Sequence, residues 1–280
     1  MLRMETLIAA LLGLPRASRG QLQPNFDPIK QFCRRFAHQT TVIDNRLFID
    51  GGLIDYGGSI SSSTVNYTNT YLSYLDLSSV GPGKFPLEYA SLSKPPVIPS
   101  VQGGALWSDA VNKVFYLFGG EYNSTTTPPS QLILYEYDAI YDNWTLVSPN
   151  PTALGIQSVS FGASAVVDDR ALAFYYGGLM SNATVAGGPQ QRGLGDLVAQ
   201  PGLLQYDMLS NTWRNGTFVD GIPRAEGTMY YIPASDAGML VYFGGVQQNS
   251  NGSFTGVSAI AILLLQSLNT SQLPMDVGKS

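Results

Sequence analysis

The chain has 280 residues, 44% of them hydrophobic, and only 12% carry a charged side chain. That length suffices for one all-β domain with a substantial core, whereas the dispersed net charge of −5 gives no basic stripe for a nucleic-acid partner. The single cysteine, Cys33, excludes an internal disulfide, and no apolar run reaches the roughly 18 residues that a membrane span needs.

The N-terminal segment has the pattern of a secretory leader. Residues 6–14 form an apolar run behind Arg3, and small residues at Ser18 and Gly20 offer a cleavage site before Gln21. We predict a signal peptide over residues 1–20 and a linker over 21–33, which would make the protein secreted or displayed at the cell surface. The alternative interpretation is a short buried helix.

An internal repeat follows, in which four apolar, β-rich runs each end in two glycines. The pairs are Gly51-Gly52, Gly119-Gly120, Gly177-Gly178 and Gly244-Gly245. Their first glycines are 68, 58 and 67 residues apart, which suits propeller blades with long loops. Another β-like run precedes each of these runs across a turn, for example Asp44-Asn45 or Asp168-Asp169, so each unit is predicted to contain a β-hairpin.

Two units continue into a third run that ends in Asp, followed by a turn and Trp. Asp138 lies six positions before Trp144, and Asp207 lies six positions before Trp213. We expect the Asp to hydrogen-bond the turn and the indole to pack on the neighbouring unit. Because most of the runs are continuous rather than alternating, both faces of each small sheet should be covered, as radial stacking would achieve.

The glycine pairs, the Asp-to-Trp spacing and the opening Arg35-x-x-His38 together resemble the kelch repeat of galactose-oxidase-like β-propellers. The resemblance implies an all-β, kelch-type β-propeller over residues 34–268, with about four recognisable blades of four-stranded antiparallel sheets, and a polar tail over 269–280. With its leader, the chain resembles secreted or cell-surface kelch proteins of filamentous fungi. Kelch propellers usually have six or seven blades, so three expectations stand: hidden blades, a four-blade ring, or an incomplete propeller.

The inventory of reactive side chains disfavours most catalytic chemistry. Copper-radical chemistry like that of galactose oxidase would need two histidines, and His38 is the only one, so we predict no copper, other metal or cofactor. Asp50 stands where other units carry an aromatic residue before the glycine pair, which makes it a candidate polar residue of a central channel. A hydrogen-bonded structural Asp is the favoured alternative. Glu121 and Glu226 would suit an acid and base, but the sequence does not place them together.

Polar loops are the remaining candidates for function. The segments 56–70, 121–130 and 179–203 each follow a glycine pair, so we expect them to cluster on one face. Glycosylation sequons occur at Asn66, Asn123, Asn143, Asn182, Asn215, Asn251 and Asn269. The leading hypothesis is a non-catalytic binding or scaffold module that contacts a protein or glycan partner through these loops. The alternatives are a carbohydrate-active enzyme that uses channel carboxylates, and a truncated member without function.

Overall fold

The computed structural model describes residues 27, 29–31, 33–55, 66–147, 155–190, 196–217, 220–234, 237–257 and 260–264. In these ranges the chain is all-β, with two single-turn 3-10 helices, Leu77–Ser79 and Asp168–Arg170, and no α-helix. A search of the same residues finds no helix long and apolar enough to cross a membrane.

The strands fall into four consecutive units that match the sequence repeat. Unit 1 contains β1 (Arg34–Phe36), β2 (Gln39–Ile43), β3 (Arg46–Asp50), β4 (Leu53–Asp55), β5 (Asn66–Thr68), β6 (Leu72–Asp76) and β7 (Glu88–Tyr89). Unit 2 contains β8 (Ala105–Asp109), β9 (Val114–Phe118), β10 (Leu134–Asp138) and β11 (Asn143–Val147). Unit 3 contains β12 (Ala163–Val167), β13 (Leu172–Tyr176), β14 (Leu179–Met180), β15 (Val198–Ala199), β16 (Gly202–Asp207) and β17 (Thr212–Thr217). Unit 4 contains β18 (Arg224–Ala225), β19 (Thr228–Ile232), β20 (Met239–Phe243), β21 (Val246–Gln248), β22 (Phe254–Gly256) and β23 (Ile260–Leu264).

Each unit contributes one large antiparallel sheet, here called a blade. Blades 1 to 3 are four-stranded, with the orders β2-β3-β6-β7, β8-β9-β10-β11 and β12-β13-β16-β17, and the described part of blade 4 is β19-β20-β23. The first strands β2, β8, β12 and β19 contact one another in that sequence, so they lie at the centre and the blades radiate outward. This arrangement confirms the predicted propeller of four-stranded antiparallel sheets.

A second, smaller sheet accompanies three of the blades. The orders are β1-β4-β5, β14-β15 and β18-β21-β22. In units 1 and 4 the segment after the glycine pair runs back along the residues that lead into the blade, so Phe36 pairs with Leu53 and Ala225 with Val246. The prediction of plain loops over 56–70 and 179–203 is wrong to that extent, because β5 and β15 are strands.

The glycine pairs join each blade to the next. In the three junctions the N–H of the second glycine donates to a backbone carbonyl of the following unit at 2.8 Å: Gly52 to Val101, Gly120 to Val159 and Gly178 to Arg224. A Cβ on the first glycine of each of these pairs would collide with that same carbonyl oxygen. All eight glycines also have positive φ, from 60° to 95°. The expectation that the glycine pairs lie where neighbouring units crowd together is therefore confirmed at these three junctions.

A further series of backbone hydrogen bonds runs from unit to unit. Gly103 N–H donates to Ala37 O at 2.8 Å, Phe161 N–H to Gly103 O at 2.7 Å, and Glu226 N–H to Phe161 O at 2.7 Å. The four residues hold the same repeat position, and all have φ between 53° and 63°. Such a backbone is uncommon for Ala, Phe and Glu. We infer that these residues adopt positive φ because the backbone hydrogen bond between units requires it.

Aromatic side chains fill the spaces between blades. Trp107 and Phe118 of blade 2 stack at 4.7 Å between ring centroids, and Trp213 of blade 3 packs against both. Between blades 3 and 4, Tyr176 meets Tyr242 edge to face at 5.1 Å. Such pairs add to the free energy gained by burying the rings. The hydrophobic core is thus a set of interfaces between blades.

The Asp-to-Trp segments are hairpins between the third and fourth strands. Asp138 Oδ1 accepts two backbone N–H groups of its turn at 2.8 and 3.0 Å, and Asp207 Oδ1 accepts two at 3.0 Å. Trp144 packs in the core that blade 2 shares with blade 1 and donates its Nε1–H to Ser93 O at 2.8 Å, while Trp213 packs toward blade 2. The predicted roles of Asp and Trp are confirmed.

The two hairpin turns named from sequence differ in form. Asp44 and Asn45 have φ of 48° and 59° and make the two-residue turn that was predicted. Asp168 and Asp169 instead begin the 3-10 helix, and Ala171 takes the left-handed conformation at φ 50°. An Asp-Asn or Asp-Asp pair therefore indicates where the turn lies but does not determine how many residues the turn contains.

Replacing Gly119 with Ala should destabilise the protein much more than replacing Gly244. Both residues have positive φ, but only the Gly119 Cβ would strike the backbone of a following unit, at Val159 O. We expect Gly119→Ala to lower the free energy of unfolding by about 3 kcal/mol or more, and Gly244→Ala by about 1 to 2 kcal/mol from backbone strain alone. Urea denaturation of both variants measures the difference, and equal losses would contradict the account of the junction.

Candidate functional site

The end of the blades that carries the glycine pairs is the candidate functional face. Because the strands alternate in direction, the four pairs and the described parts of the segments after them and of the connections between blades lie at this end, here called the Gly-Gly face. The hairpins Asp44-Asn45 and 138–142 lie at the opposite end. The predicted clustering of post-glycine segments on one face thus follows from the observed topology.

A cavity of about 560 Å³ lies on the Gly-Gly face where blades 1 and 2 meet. It is lined by the segment before β6, the connection between the two blades and the segment after Gly120: Thr70, Tyr71, Ala90, Ser91, Leu92, Lys94, Pro95, Pro96, Ile98, Pro99, Ser100, Tyr122, Asn123 and Thr126. Hydroxyl and amide groups supply its hydrogen-bonding capacity, and three prolines stiffen the connection that forms one wall. Its volume is in the range of small-ligand sites.

Asn69 fixes the wall that carries Tyr71. Its amide Nδ2 donates to Gly51 O at 3.0 Å and Tyr71 O at 3.3 Å, and its Oδ1 accepts the Tyr71 N–H at 3.2 Å. The residue is buried, with 1% of its surface exposed. Asn69 therefore couples the cavity to the first glycine pair. Sequence analysis missed it, because nothing in its immediate surroundings distinguishes it from the other polar loop residues.

Among the described residues, Lys94 supplies the only charged side chain that lines the cavity, and this charge is compensated. Its ammonium group forms a buried ion pair with Asp50, which also accepts a hydrogen bond from Gln39 Nε2 at 2.9 Å. Asp50 is fully buried, so it is not the open channel carboxylate that was considered as one interpretation. It holds the blade connection against β3, and the cavity wall is left with no net charge.

The two arginines at the start of units 1 and 4 make different contacts. Arg35 forms an ion pair at 2.7 Å with Glu88 of its own blade. Arg224 donates to Tyr176 Oη of blade 3 at 2.9 Å and pairs with Asp220 at 2.6 Å, so it ties two units together. His38, the last residue of the opening motif, is exposed, although its backbone lies close to Gly52.

Glu121 and Glu226, which the sequence could not place together, come within electrostatic range of each other. Glu121 is buried and accepts a hydrogen bond from Gln102 Nε2 at 2.8 Å. Burial, and secondly the negative charge of Glu121, raise the pKa of the Glu226 carboxyl to about 7. Across the described residues, no three His, Cys, Asp or Glu side chains are grouped so that they could hold a metal ion.

The sequons differ in accessibility. Asn143, Asn215 and Asn251 are exposed, whereas Asn66, Asn123 and Asn182 are partly buried and Asn269 lies outside the described residues. Asn143 and Asn215 lie on β11 and β17, the outermost strands of their blades. Asn123 lines the cavity, and its Oδ1 accepts hydrogen bonds from the Thr125 N–H and hydroxyl at 3.0 and 2.8 Å. A glycan on an outer strand would leave the cavity open.

Radially arranged antiparallel sheets with repeated glycine-pair junctions define a β-propeller. The chain is 26% identical over 265 residues to a kelch repeat-containing protein of Arthroderma benhamiae, an alignment that covers 82% of this chain. Its backbone is similar to the solved structure of YjhT, with a TM-score of 0.54, 15% sequence identity, and coverage of 83% of this chain and 67% of that one. The fold is a kelch-type β-propeller, as the repeat motifs predicted.

The match covers only part of the curated relative. The chain spans 38% of the length of the curated relative that it matches. No family model matches it. The activity and partners of the whole relative therefore do not transfer to this chain as findings.

Substituting Glu226 with Gln should change how stability depends on pH. With a pKa of about 7 instead of 4.5, the folded protein keeps a proton that the unfolded chain releases, so wild-type stability falls as pH rises through that window. We expect Glu226→Gln to exceed the wild type by about 3 kcal/mol in free energy of unfolding well above pH 7 and to match it below about pH 4.5. Urea denaturation across this range measures the difference, and a pH-independent difference would contradict the assignment.

Proposed function

We propose that the chain is a non-catalytic binding module of the secretory pathway, whose Gly-Gly face takes up an uncharged glycan or protein segment. The observation that carries this proposal is the cavity between blades 1 and 2. In the described lining the uncharged hydrogen-bonding groups are hydroxyls and amides, and the one charge, that of Lys94, is paired with Asp50. Such a lining suits a ligand with many hydroxyl or amide groups better than a charged one.

The aromatic rings of the cavity favour a glycan as the first ligand to test. Tyr71 and Tyr122 line the cavity from segments of different units, and Tyr71 is the ring that we expect a sugar to contact. Tyr122 is almost fully buried, whereas Tyr71 is half-buried and retains surface for a ligand. Tyr71 also has a fixed backbone, through Asn69. A rigid aromatic with a polar end is a common anchor in recognition sites.

Secretion is part of the proposal and rests on the leader-like residues 1–20 and on the sequons. Three of these sequons are exposed, and two lie on outer strands where a glycan would be solvated. Expression in a yeast secretory host supplies both the test of this point and the material for binding studies. Recovery from the medium, with a mass that falls on N-glycosidase treatment, is the expected result; retention inside the cell would count against secretion and in favour of a truncated, non-functional chain.

A carbohydrate-active enzyme remains the second candidate, and one observation favours it. The pKa of Glu226 is raised to about 7 by burial and by Glu121, which is the kind of shift that a general acid requires. Asp50 no longer serves this alternative, because it is buried and paired with Lys94. Hydrolysis of the oligosaccharides used for binding, abolished by Glu226→Gln, would establish the enzyme in place of the module.

The substitution Tyr71→Ala should weaken ligand binding while Tyr141→Ala should not. Tyr141 is a matched control because it is a highly exposed tyrosine in the hairpin at the opposite end of blade 2. Titration calorimetry with chito-, laminari- and manno-oligosaccharides should show an affinity at least about tenfold lower for Tyr71→Ala. Binding that responds equally to both substitutions, or no binding of any of these glycans to the wild type, would contradict the cavity as a glycan site.

A further inference from the structure

One side of blade 4 exposes large apolar side chains that the other blades bury. Tyr230 is 57% exposed, whereas Trp107 at the same repeat position in blade 2 is 0% exposed. Phe243 is 40% exposed, whereas its counterparts Phe118 and Tyr176 are 0% exposed. The position of Phe243 therefore carries a large aromatic residue in each of blades 2 to 4. In blade 4 no following blade of the described chain covers this residue or Tyr230.

The exposed side chains form one continuous patch. Tyr230 and Phe243 stack at 5.8 Å between ring centroids. Cross-strand pairing places Tyr230, Val241 and Ile262 opposite one another on the same face of the sheet, and Ile262 is 46% exposed. Contiguous apolar surface of this kind marks an interaction site on a soluble protein.

The glycine pair of unit 4 has the same backbone conformation as the pairs that contact a following unit. Gly244 and Gly245 have φ of 75° and 74°, as at the other junctions. A Cβ on Gly244 would nevertheless meet nothing within 4 Å, while those on the first glycines of the other pairs would collide with the following unit. Within the described residues, unit 4 thus has the junction geometry but no following unit in contact with it.

Blade 1 carries a complementary surface on the side that faces away from blade 2. Each internal interface joins the side of one blade that faces the next unit, its following side, to the side of the next blade that faces back, its preceding side. No other blade of the described residues covers the preceding side of blade 1. Val42 there is 48% exposed, and cross-strand pairing places it on one face with Leu47 and Leu75. The molecule therefore carries both halves of the repeat interface, one at each end of the described propeller.

We propose that the patch of Tyr230, Val241, Phe243 and Ile262 docks the preceding side of blade 1 from a second copy of this chain. We infer this occupant from the three internal interfaces, in each of which the preceding side of one blade covers the blade before it. Blade 1 carries apolar side chains on its preceding side and can therefore cover blade 4 of another copy in the same way. The contact joins two different surfaces, so it is heterologous, and it closes into a ring or extends according to the rotation between copies. This inference is independent of the proposed ligand cavity.

The test uses one lysine substitution on each half of the contact. Phe243→Lys alters the blade 4 side and Val42→Lys the blade 1 side, and both positions are exposed enough for each variant to fold, which circular dichroism checks. Sedimentation velocity from about 1 to 100 μM should show association of the wild type, weakened at least about tenfold in each variant. A monomeric wild type, as expected if another segment covers the patch, overturns the proposal.

Mixing the two variants separates this contact from other kinds of association. Each variant retains one intact half, so an equimolar mixture should form a dimer with a single restored interface, while either variant alone keeps its weakened association. A contact between two blade 4 patches would respond to Phe243→Lys only. That result, or a mixture that remains monomeric, would also overturn the proposal.

Discussion

The hydrogen bond from the second glycine of each of the first three pairs to the next unit is the constraint on which the described structure depends. It requires the two backbones to meet closer than a Cβ allows, so the first glycine cannot be replaced without moving a blade. In units 1 and 4, the chain after the two positive-φ glycines runs back along its own lead-in residues, where β4 pairs with β1 and β21 with β18. One backbone feature thus sets the spacing between blades and shapes the Gly-Gly face.

Buried ion pairs and hydrogen bonds of charged side chains connect separate segments of the fold. Asp50 anchors the connection between blades 1 and 2 through Lys94, and Arg224 anchors unit 4 to Tyr176 of blade 3. Buried ion pairs stabilise little by themselves, but leaving one partner unpaired is costly, so they specify one arrangement. Among the described residues, the one charge in the lining of the ligand-sized cavity, that of Lys94, is therefore compensated by Asp50.

The sequence predicts features that depend on neighbours along the chain. The glycine pairs, the Asp44-Asn45 turn and the Asp-to-Trp hairpins could be found because local spacing determines their geometry. Lys94 as the partner of Asp50, and the approach of Glu226 to Glu121, could not be found, because these contacts join residues 44 and 105 positions apart. The cavity was missed for the same reason, since its walls come from three separate segments.

Amide hydrogen exchange of the junction glycines tests the central claim most directly. In the described chain the N–H groups of Gly52, Gly120 and Gly178 are bonded to the following unit, so in monomeric protein they should exchange slowly, in step with the strands around them. Gly245 has no such acceptor from a following unit within the described residues and should exchange faster. Exchange at all four glycines as fast as in exposed loops would contradict a propeller held together by these junctions.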